Sequence, residues 1–216
     1  MTASGAMPLG VLPAAVEHLR QADPVLCGVI DSVGPFQPSI EADLWWALVD
    51  SIASQQLSIK AAATIVGRVA RIGNESGSVD GRPSPETILA TDDAVLRECG
   101  LSGAKTRYVK DLAAKWLDGT IDEPILRTLP DDDVVERLTQ VKGIGRWTAE
   151  MALIFSFQRP NVLPVDDLGL RTGVQRAYGL PERPGRAELT EIGEAWRPYR
   201  SAATLYLWRS LKNGPA

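Results

Sequence analysis

A turn with two glycines joins two helical segments near the middle of this chain. The segment Val141–Met151 reads VKGIGRWTAEM. Pro130 and three aspartates precede it, which predicts a helix over 131–139, and a second helix is expected over 145–157. Glycine permits the tight turn and leaves backbone N–H groups exposed at the start of the second helix, where a phosphate can bind. A second interpretation stays open, namely a helix corner that needs glycine for steric reasons.

The rest of the chain also has the pattern of helices joined by short connections. No stretch alternates convincingly as a strand, so we predict an all-α fold. The expected domains are an N-terminal helical arm over 1–40 that packs with the C-terminal part, a helical bundle over 41–157 that contains the helical hairpin at about 131–157, and a C-terminal helical part over 158–216. The expected helices are 13–21, 24–33, 43–55, 58–72, 85–90, 92–99 and 103–116, with two or three more between 167 and 211 and a polar loop over 73–84.

A pair of carboxylates, Asp166 and Asp167, follows the second hairpin helix in the sequence LPVDDLGL. A helix of about 12 residues after Arg146 advances ~18 Å, and the segment 158–165 can span roughly 26 Å when extended. The chain can therefore return the acids to the glycine turn, and an acid beside a phosphate site suggests chemistry on a nucleic acid. Alternatively, one aspartate N-caps the helix from about Leu168 while the other faces the site.

The composition excludes several classes of catalytic site. Cys27 and Cys99 are the only cysteines and His18 is the only histidine, so a zinc site or an iron–sulfur cluster lacks ligands. The net charge of −4 does not favour DNA binding, but residues 142–216 hold 11 Lys and Arg against 7 Asp and Glu. No apolar run approaches the ~20 residues of a membrane span, and the N-terminus does not resemble a signal peptide. We therefore expect a cytoplasmic protein, associated with the nucleoid if it is bacterial.

Five sequence blocks follow one another in a fixed order along this chain. They are SIASQQLSIKAAA (51–63), CGLSGAKTRYVKDLA (99–113), VKGIGRWTA (141–149), LPVDDLGLR (163–171) and WRPYRSAATLYLWR (196–209). Together they resemble the helix-hairpin-helix DNA glycosylases, and among them the 3-methyladenine DNA glycosylase II type. The resemblance covers about residues 40–211 and implies two helical subdomains with the cleft for DNA and the damaged base between them. It also implies an enzyme that hydrolyses the N-glycosidic bond of alkylated bases in base excision repair.

The resemblance assigns the catalytic carboxylate to Asp167, with Asp166 as the alternative, and a lesion pocket to Trp147, Trp208, Asp166 and Tyr108. A carboxylate can stabilise the oxocarbenium character that builds on the sugar and can orient water. Trp147 stands where the bifunctional glycosylase/lyases of the superfamily carry a lysine, and tryptophan cannot form a Schiff base. The expected enzyme is therefore monofunctional. Helical spacing leaves open that Trp147 is a core residue, and Trp208 could equally serve to pack a C-terminal helix.

The resemblance also predicts how the protein holds DNA. Gln55, Gln56 and Leu57 would form the wedge that fills the gap left by the flipped base, with Gln56 the best candidate, although glutamine amides could instead cap a helix end. Lys105, Arg107 and Lys110 are expected to form a basic helix face that is exposed to solvent. The predicted phosphate-binding residues are Gly143, Gly145, Lys142, Arg146 and Thr148, and the backbone carbonyls of Thr139, Val141 and Ile144 could hold Na⁺ or K⁺.

The predicted function is removal of alkylated bases, first 3-methyladenine and 7-methylguanine, without lyase activity. The partner is double-stranded DNA that contains such bases, no membrane partner is expected, and the protein is expected to be a monomer. No cofactor is required in this prediction, neither zinc nor an iron–sulfur cluster is expected, and a structural Na⁺ or K⁺ could bind at the hairpin. The alternatives are a non-catalytic helix-hairpin-helix module that only binds DNA, and a glycosylase for oxidised or mismatched bases.

Overall fold

The computed structural model describes residues 13–75 and 81–213, and every regular element in these ranges is an α-helix. This confirms the all-α prediction. The helices are α1 Pro13–Ala22, α2 Pro24–Val33, α3 Leu44–Ser54, α4 Ile59–Glu75, α5 Pro85–Ala90, α6 Asp93–Glu98, α7 Gly103–Leu117, α8 Glu123–Thr128, α9 Asp131–Leu138, α10 Arg146–Phe155, α11 Leu168–Tyr178, α12 Arg186–Glu194 and α13 Arg200–Asn213.

Short polar side chains begin many of these helices. Asp23, Ser84 and Ser102 each accept a hydrogen bond from a backbone N–H in the first turn of the helix that follows. Asp122 does the same for α8, a helix that the sequence analysis did not predict. The Asp-Glu-Pro start signal of α8 was present in the sequence, but the helix has only six residues.

Helix α4 is longer than expected. Ser58 Oγ accepts a hydrogen bond from Ala61 N at 3.3 Å, in keeping with its predicted role as N-cap. The helix then runs to Glu75 rather than ending at Ile72, so the prediction of a polar loop from residue 73 was wrong at its start. Residues 76–80 of that loop lie outside the described residues.

The chain divides into two compact units. Residues 1–40 and 153–216 form the first, and residues 41–152 form the second. In the first unit α13 packs against α2 and α11, and α1 packs on α2. The core of this unit includes Trp196, which is fully buried, together with Leu26, Leu170 and Leu207.

A buried carboxylate ties the elements of the first unit together. Asp23 N-caps α2 and also accepts hydrogen bonds from Trp196 Nε1, at 2.9 Å, and from the Tyr178 hydroxyl. Burial acts to raise the pKa of Asp23, but these donors outweigh it and hold the pKa below its ordinary value. The charged carboxylate therefore stabilises the packing of α2 against α11 and the segment before α13.

Helix α7 lies at the centre of the second unit. It packs against α3, α5 and α6, and its residues Val109 and Leu112 are fully buried. Helix α3 contributes an almost continuous buried face, and Trp45 on it donates from Nε1 to the Pro83 carbonyl at 2.8 Å. The other face of α7 carries polar side chains that reach the loops on either side, and these form part of the candidate site.

Candidate active site and DNA-contact surface

Asp167, the predicted catalytic residue, is itself the N-cap of α11. Its Oδ1 accepts a hydrogen bond from Leu170 N at 2.6 Å and another from Trp208 Nε1 at 2.7 Å. The sequence analysis left open that one aspartate caps the helix while the other faces the site. Asp167 does the capping, and a helix N-terminus stabilises a carboxylate. These contacts hold the Asp167 carboxylate in one orientation. Its catalytic role stays a prediction.

Asp166 has a different partner. Its two carboxylate oxygens accept hydrogen bonds from Arg186, at 2.5 Å from Nε and 2.6 Å from Nη2. This paired geometry is strong because both partners are charged and planar. Its assignment to the lesion pocket stays a prediction, and the pair connects the loop before α11 to the start of α12.

Trp208 is more than a packing residue of α13. It donates its indole N–H to Asp167, and its ring stacks on Phe155 with the centroids 6.2 Å apart and the planes at 15°. A β-carbon at Gly169 would lie 3.1 Å from both Asp167 Oδ1 and Trp208 Cδ1. Glycine at this position therefore leaves room for the hydrogen bond between indole and carboxylate. The sequence analysis missed this contact because α11 and α13 are far apart in the chain.

Trp147 lies in the first turn of α10 and is 47% exposed. The alternative that it is a core residue was therefore wrong, although Ile154 on the same helix is buried. An exposed indole face is suited to stacking on a planar base. Its place in the lesion pocket stays a prediction.

The glycine turn has a steric requirement at its first glycine. Gly143 has a φ of 84°, and a β-carbon there would lie 2.2 Å from Cδ2 of Tyr108. The Ile144 N–H closes the turn on the Val141 carbonyl at 3.1 Å. Tyr108, predicted for the lesion pocket, thus packs against the turn, and its pocket role stays a prediction. Gly145 has open space around it, so no steric reason requires glycine there.

The predicted phosphate-binding side chains differ in their exposure. Lys142 and Arg146 flank the turn and have side chains 72% and 57% exposed. Arg146 forms two long ion pairs, 3.9 Å to Asp132 and 3.8 Å to Glu150. Thr148 is buried, and its contact with a phosphate stays a prediction.

Asp111 on α7 holds the glycine turn through a hydrogen bond to the turn's backbone. Its Oδ2 accepts a hydrogen bond from Lys142 N at 2.8 Å and from Lys115 Nζ at 2.7 Å. Burial acts to raise the pKa of Asp111, but the hydrogen bonds from Lys115 and from the Lys142 backbone lower it below its ordinary value. The sequence analysis did not predict this role for Asp111. An acidic residue in the segment KDLA was the one sign of it in the sequence.

The predicted wedge residues Gln55, Gln56 and Leu57 form the turn between α3 and α4. The Gln55 amide donates from Nε2 to the Gly143 carbonyl at 2.8 Å, so this side chain is used inside the protein. Gln56 is exposed, with a φ of 58°, and its amide has no hydrogen-bond partner among the described residues. Leu57 is 40% exposed. Gln56 therefore remains the side chain best placed to enter DNA, although its wedge role is untested.

Lys105 corrects the sequence analysis. It was predicted on a solvated face, but its ammonium group donates to the Ala53 carbonyl at 2.8 Å and to the Gln55 carbonyl at 2.7 Å. Burial lowers its pKa below the ordinary lysine value. Its neighbour Lys110, by contrast, forms a surface ion pair with Asp93.

The backbone carbonyls of Thr139, Val141 and Ile144 have the chemistry of an alkali-ion site. They are neutral, hard oxygen donors, which suit a monovalent or divalent hard cation. The Val141 carbonyl already accepts the Ile144 N–H but retains a second lone pair. The donor set fits such an ion, whose binding stays a prediction.

The fold and these contacts can be compared with known proteins. The model of the family described as HhH-GPD superfamily base excision DNA repair protein matches residues 49–198, which is more than half of the chain. The chain belongs to this superfamily. The match includes the wedge turn, the glycine turn and Asp167, so every element of the candidate site except Trp208 lies inside it.

Individual members of the superfamily are similar over nearly the whole chain. DNA-3-methyladenine glycosylase 1 of Schizosaccharomyces pombe is 36% identical over 205 residues, which are 93% of this chain and 88% of that protein. A structure of the S. pombe 3-methyladenine DNA glycosylase in complex with abasic DNA matches with a TM-score of 0.82, covering 94% of this chain and 100% of that one at 36% identity. DNA-3-methyladenine glycosylase 2 of Escherichia coli is 27% identical over 220 residues, 92% of this chain and 73% of that protein.

Two further findings concern the described residues only. No three of their His, Cys, Asp or Glu side chains are grouped so that they could hold a metal ion. None of their helices combines the length and the apolar character needed to cross a bilayer.

Proposed function

We propose that this protein is a monofunctional DNA glycosylase that hydrolyses the N-glycosidic bond of alkylated bases in base excision repair. Its substrates are double-stranded DNA with 3-methyladenine, 7-methylguanine and related bases. Relatives named DNA-3-methyladenine glycosylase span most of the chain and support this substrate class. The observation that carries the proposal is the Asp167 carboxylate, held in one orientation by the N-terminus of α11 and by the Trp208 indole.

Asp167 acts on the sugar rather than on the base. When the bond between C1′ and the base nitrogen breaks, its electron pair leaves with the base and positive charge builds on the sugar. The negative carboxylate stabilises that charge, orients a water oxygen toward C1′ and accepts a proton as the new bond forms. An alkylated base with a formal positive charge leaves as a neutral molecule, so no general acid has to protonate it.

Trp147 and Trp208 are the pocket residues that recognise the damaged base in this proposal. Trp147 also determines that the reaction stops after the base is released. The exposed Trp147 ring offers an electron-rich face on which a cationic base stacks favourably. A tryptophan at this position supplies no amine for a Schiff base, so the reaction stops at the abasic site. Selectivity follows in part from reactivity, because a cationic alkylated base is already a good leaving group.

DNA is held by the turn around Gly143 and by the wedge. Exposed Lys142 and Arg146 neutralise phosphates, and backbone N–H groups at the start of α10 add hydrogen bonds. The carbonyls of Thr139, Val141 and Ile144 would hold an alkali ion, which adds positive charge next to a phosphate. The enzyme needs no iron–sulfur cluster and no zinc, acts as a monomer, and works at chromosomal DNA.

The decisive experiment uses methylated duplex DNA and measures released base and alkali-labile abasic sites. Wild-type protein should release 3-methyladenine and 7-methylguanine. Asp167→Asn keeps the size of the side chain and its acceptor oxygen, and it should lower the single-turnover rate by about 100-fold or more. Asp31→Asn, at an exposed carboxylate outside the candidate site, is the matched control and should retain full activity. Asp166→Asn tests the neighbouring carboxylate, and a larger loss there than in Asp167→Asn would move the catalytic role to Asp166.

The same experiment separates the alternatives. Tight binding of methylated duplex without any base release would identify a non-catalytic DNA-binding module and overturn the proposal. Strand cleavage without alkali, together with trapping of a covalent complex by borohydride, would contradict the monofunctional assignment. If oxidised bases were released faster than alkylated bases, the substrates would be oxidised rather than alkylated bases.

A further inference from the structure

The turn that presents Gln56 is held by a side chain from another helix. Lys105, in the first turn of α7, donates to the carbonyls of Ala53 and Gln55 at 2.8 and 2.7 Å. These carbonyls lie at the end of α3, where helix geometry leaves acceptors without partners inside the helix. The Lys105 ammonium group therefore holds the turn at two points, the carbonyls of Ala53 and Gln55.

The position of Lys105 is unfavourable for α7 itself. A positive charge in the first turn opposes the helix dipole, and burial lowers the pKa of this lysine. Ser102 already caps α7 by accepting the backbone N–H of Lys105, so the Lys105 side chain is not needed at that helix end. Its charge instead complements the C-terminus of α3, where a cation is favoured. The benefit of this lysine thus lies in the turn after α3.

The turn itself requires such support. Gln56 has a φ of 58°, a left-handed conformation that costs free energy in any residue with a β-carbon. The turn has only one internal backbone bond, from Leu57 N to the Ser54 carbonyl at 3.3 Å. A strained residue persists only where its surroundings determine it, and Lys105 supplies two of those constraints.

The same face of α7 also contacts the glycine turn. Tyr108, three residues after Lys105, packs against Gly143, and Asp111, three residues further, accepts the Lys142 N–H. The Gln55 amide also connects the two turns directly, because its Nε2 donates to the Gly143 carbonyl at 2.8 Å. One helix face therefore sets the spacing between the wedge turn and the phosphate-binding turn.

We propose that Lys105 is a positioning residue that holds Gln56 ready to enter the duplex and keeps it in register with the glycine turn. This inference rests on the proposed glycosylase function and deepens it. Lys105 touches neither base nor sugar and acts through Gln56. Its effect must therefore be largest where the enzyme has to open a base pair, because flipping is least costly for an unpaired base.

The test compares Lys105→Met with Lys110→Met, a matched change on the same helix at a surface ion pair. Each full-length variant is assayed by single-turnover excision of 7-methylguanine, paired with cytosine or placed opposite an abasic-site analogue. For Lys105→Met we expect a loss of roughly tenfold on the paired substrate and less than about twofold on the unpaired one. Lys110→Met should match wild type on both.

A double-mutant cycle with Gln56→Ala tests the route of the effect. If Lys105 acts through Gln56, the double variant is no slower than Gln56→Ala alone, since coupled residues are not additive. The fluorescence of 2-aminopurine opposite the lesion reports the intrusion of the wedge, and it should rise less in Lys105→Met than in wild type. If Lys105 only stabilised the fold, its replacement would not selectively change the rate on the paired substrate, the coupling to Gln56 or the 2-aminopurine fluorescence.

The outcomes are separable from those of the proposed function. If wild type releases no base, the glycosylase proposal fails. If wild type is active but Lys105→Met slows both substrates equally, or adds fully to Gln56→Ala, the positioning role is overturned. Circular dichroism checks the fold, and if Lys105→Met does not fold, Lys105→Gln replaces it with an intermediate loss expected on the paired substrate alone.

Discussion

At the scale of single residues, one of the hydrogen bonds that orient the Asp167 carboxylate comes from the Trp208 indole. Trp208→Phe keeps an aromatic ring against Phe155 but loses the N–H that donates to the carboxylate, together with part of the ring volume. Hydrogen bonds to charged groups contribute about 1.5–3 kcal/mol, so the single-turnover excision rate should fall about tenfold or more while DNA affinity stays the same. Rapid-quench kinetics and fluorescence anisotropy measure the two quantities.

Trp116→Phe is the matched control for this change. Trp116 packs edge to face on Trp45 in the second unit and lies outside the candidate site. Its loss should leave the excision rate unchanged. An unaltered rate in Trp208→Phe would mean that the helix cap alone orients Asp167.

At the scale of elements, the hairpin of α9 and α10 is held from outside by α7. Asp111 accepts the Lys142 N–H, and an asparagine in its place can still accept this bond whereas an alanine cannot. Both variants lose the charge, so their difference isolates the anchor. We expect Asp111→Ala to bind undamaged duplex roughly fivefold more weakly than Asp111→Asn, from the loss of a bond of about 1 kcal/mol.

Salt dependence distinguishes this anchor from a phosphate contact. Because a carboxylate does not neutralise a phosphate, both Asp111 variants should keep the wild-type slope of log affinity against log salt. Lys142→Met should reduce that slope by about one, as expected for the loss of a single phosphate contact. Equal binding by Asp111→Ala and Asp111→Asn would show that the turn holds its shape without the anchor.

At the scale of the whole molecule, stability at low pH depends on Asp23. Its pKa is lower in the folded protein than its ordinary value, so its contribution is fully present above an ordinary carboxyl pKa of about 3.9 and is lost as pH falls through the lower folded value. Asp23→Ala leaves the Trp196 and Tyr178 donors buried without an acceptor and should lower the free energy of unfolding by about 3 kcal/mol. Urea unfolding at a series of pH values measures both effects.

Asp31→Asn provides the comparison on the same helix. Asp31 is exposed and forms an ion pair with Arg20, so its loss should change stability by less than about 1 kcal/mol. Asp23→Asn should flatten the decline of stability at low pH. A decline identical to that of wild type in Asp23→Asn would assign acid unfolding to other carboxylates.

Much of the fold follows from local signals in the sequence. Helix starts such as Asp23-Pro24 and Ser84-Pro85 are visible because a cap and its helix are adjacent in the chain. Periodic apolar residues and the glycine turn place the remaining helices. The six-residue α8 was missed, since a short helix offers too few periods to stand out.

By itself, the sequence determined the class of fold and the family, because capping, periodicity and ordered motifs are properties of neighbouring residues. It also predicted a short list of site residues. Only the tertiary structure decided which partner each site residue has. Trp208 reaches Asp167 across 41 residues, Lys105 reaches Ala53 across 52, and Gln55 reaches Gly143 across 88. Such pairs are set by how whole helices pack, and nothing in the local sequence of either partner identifies the other.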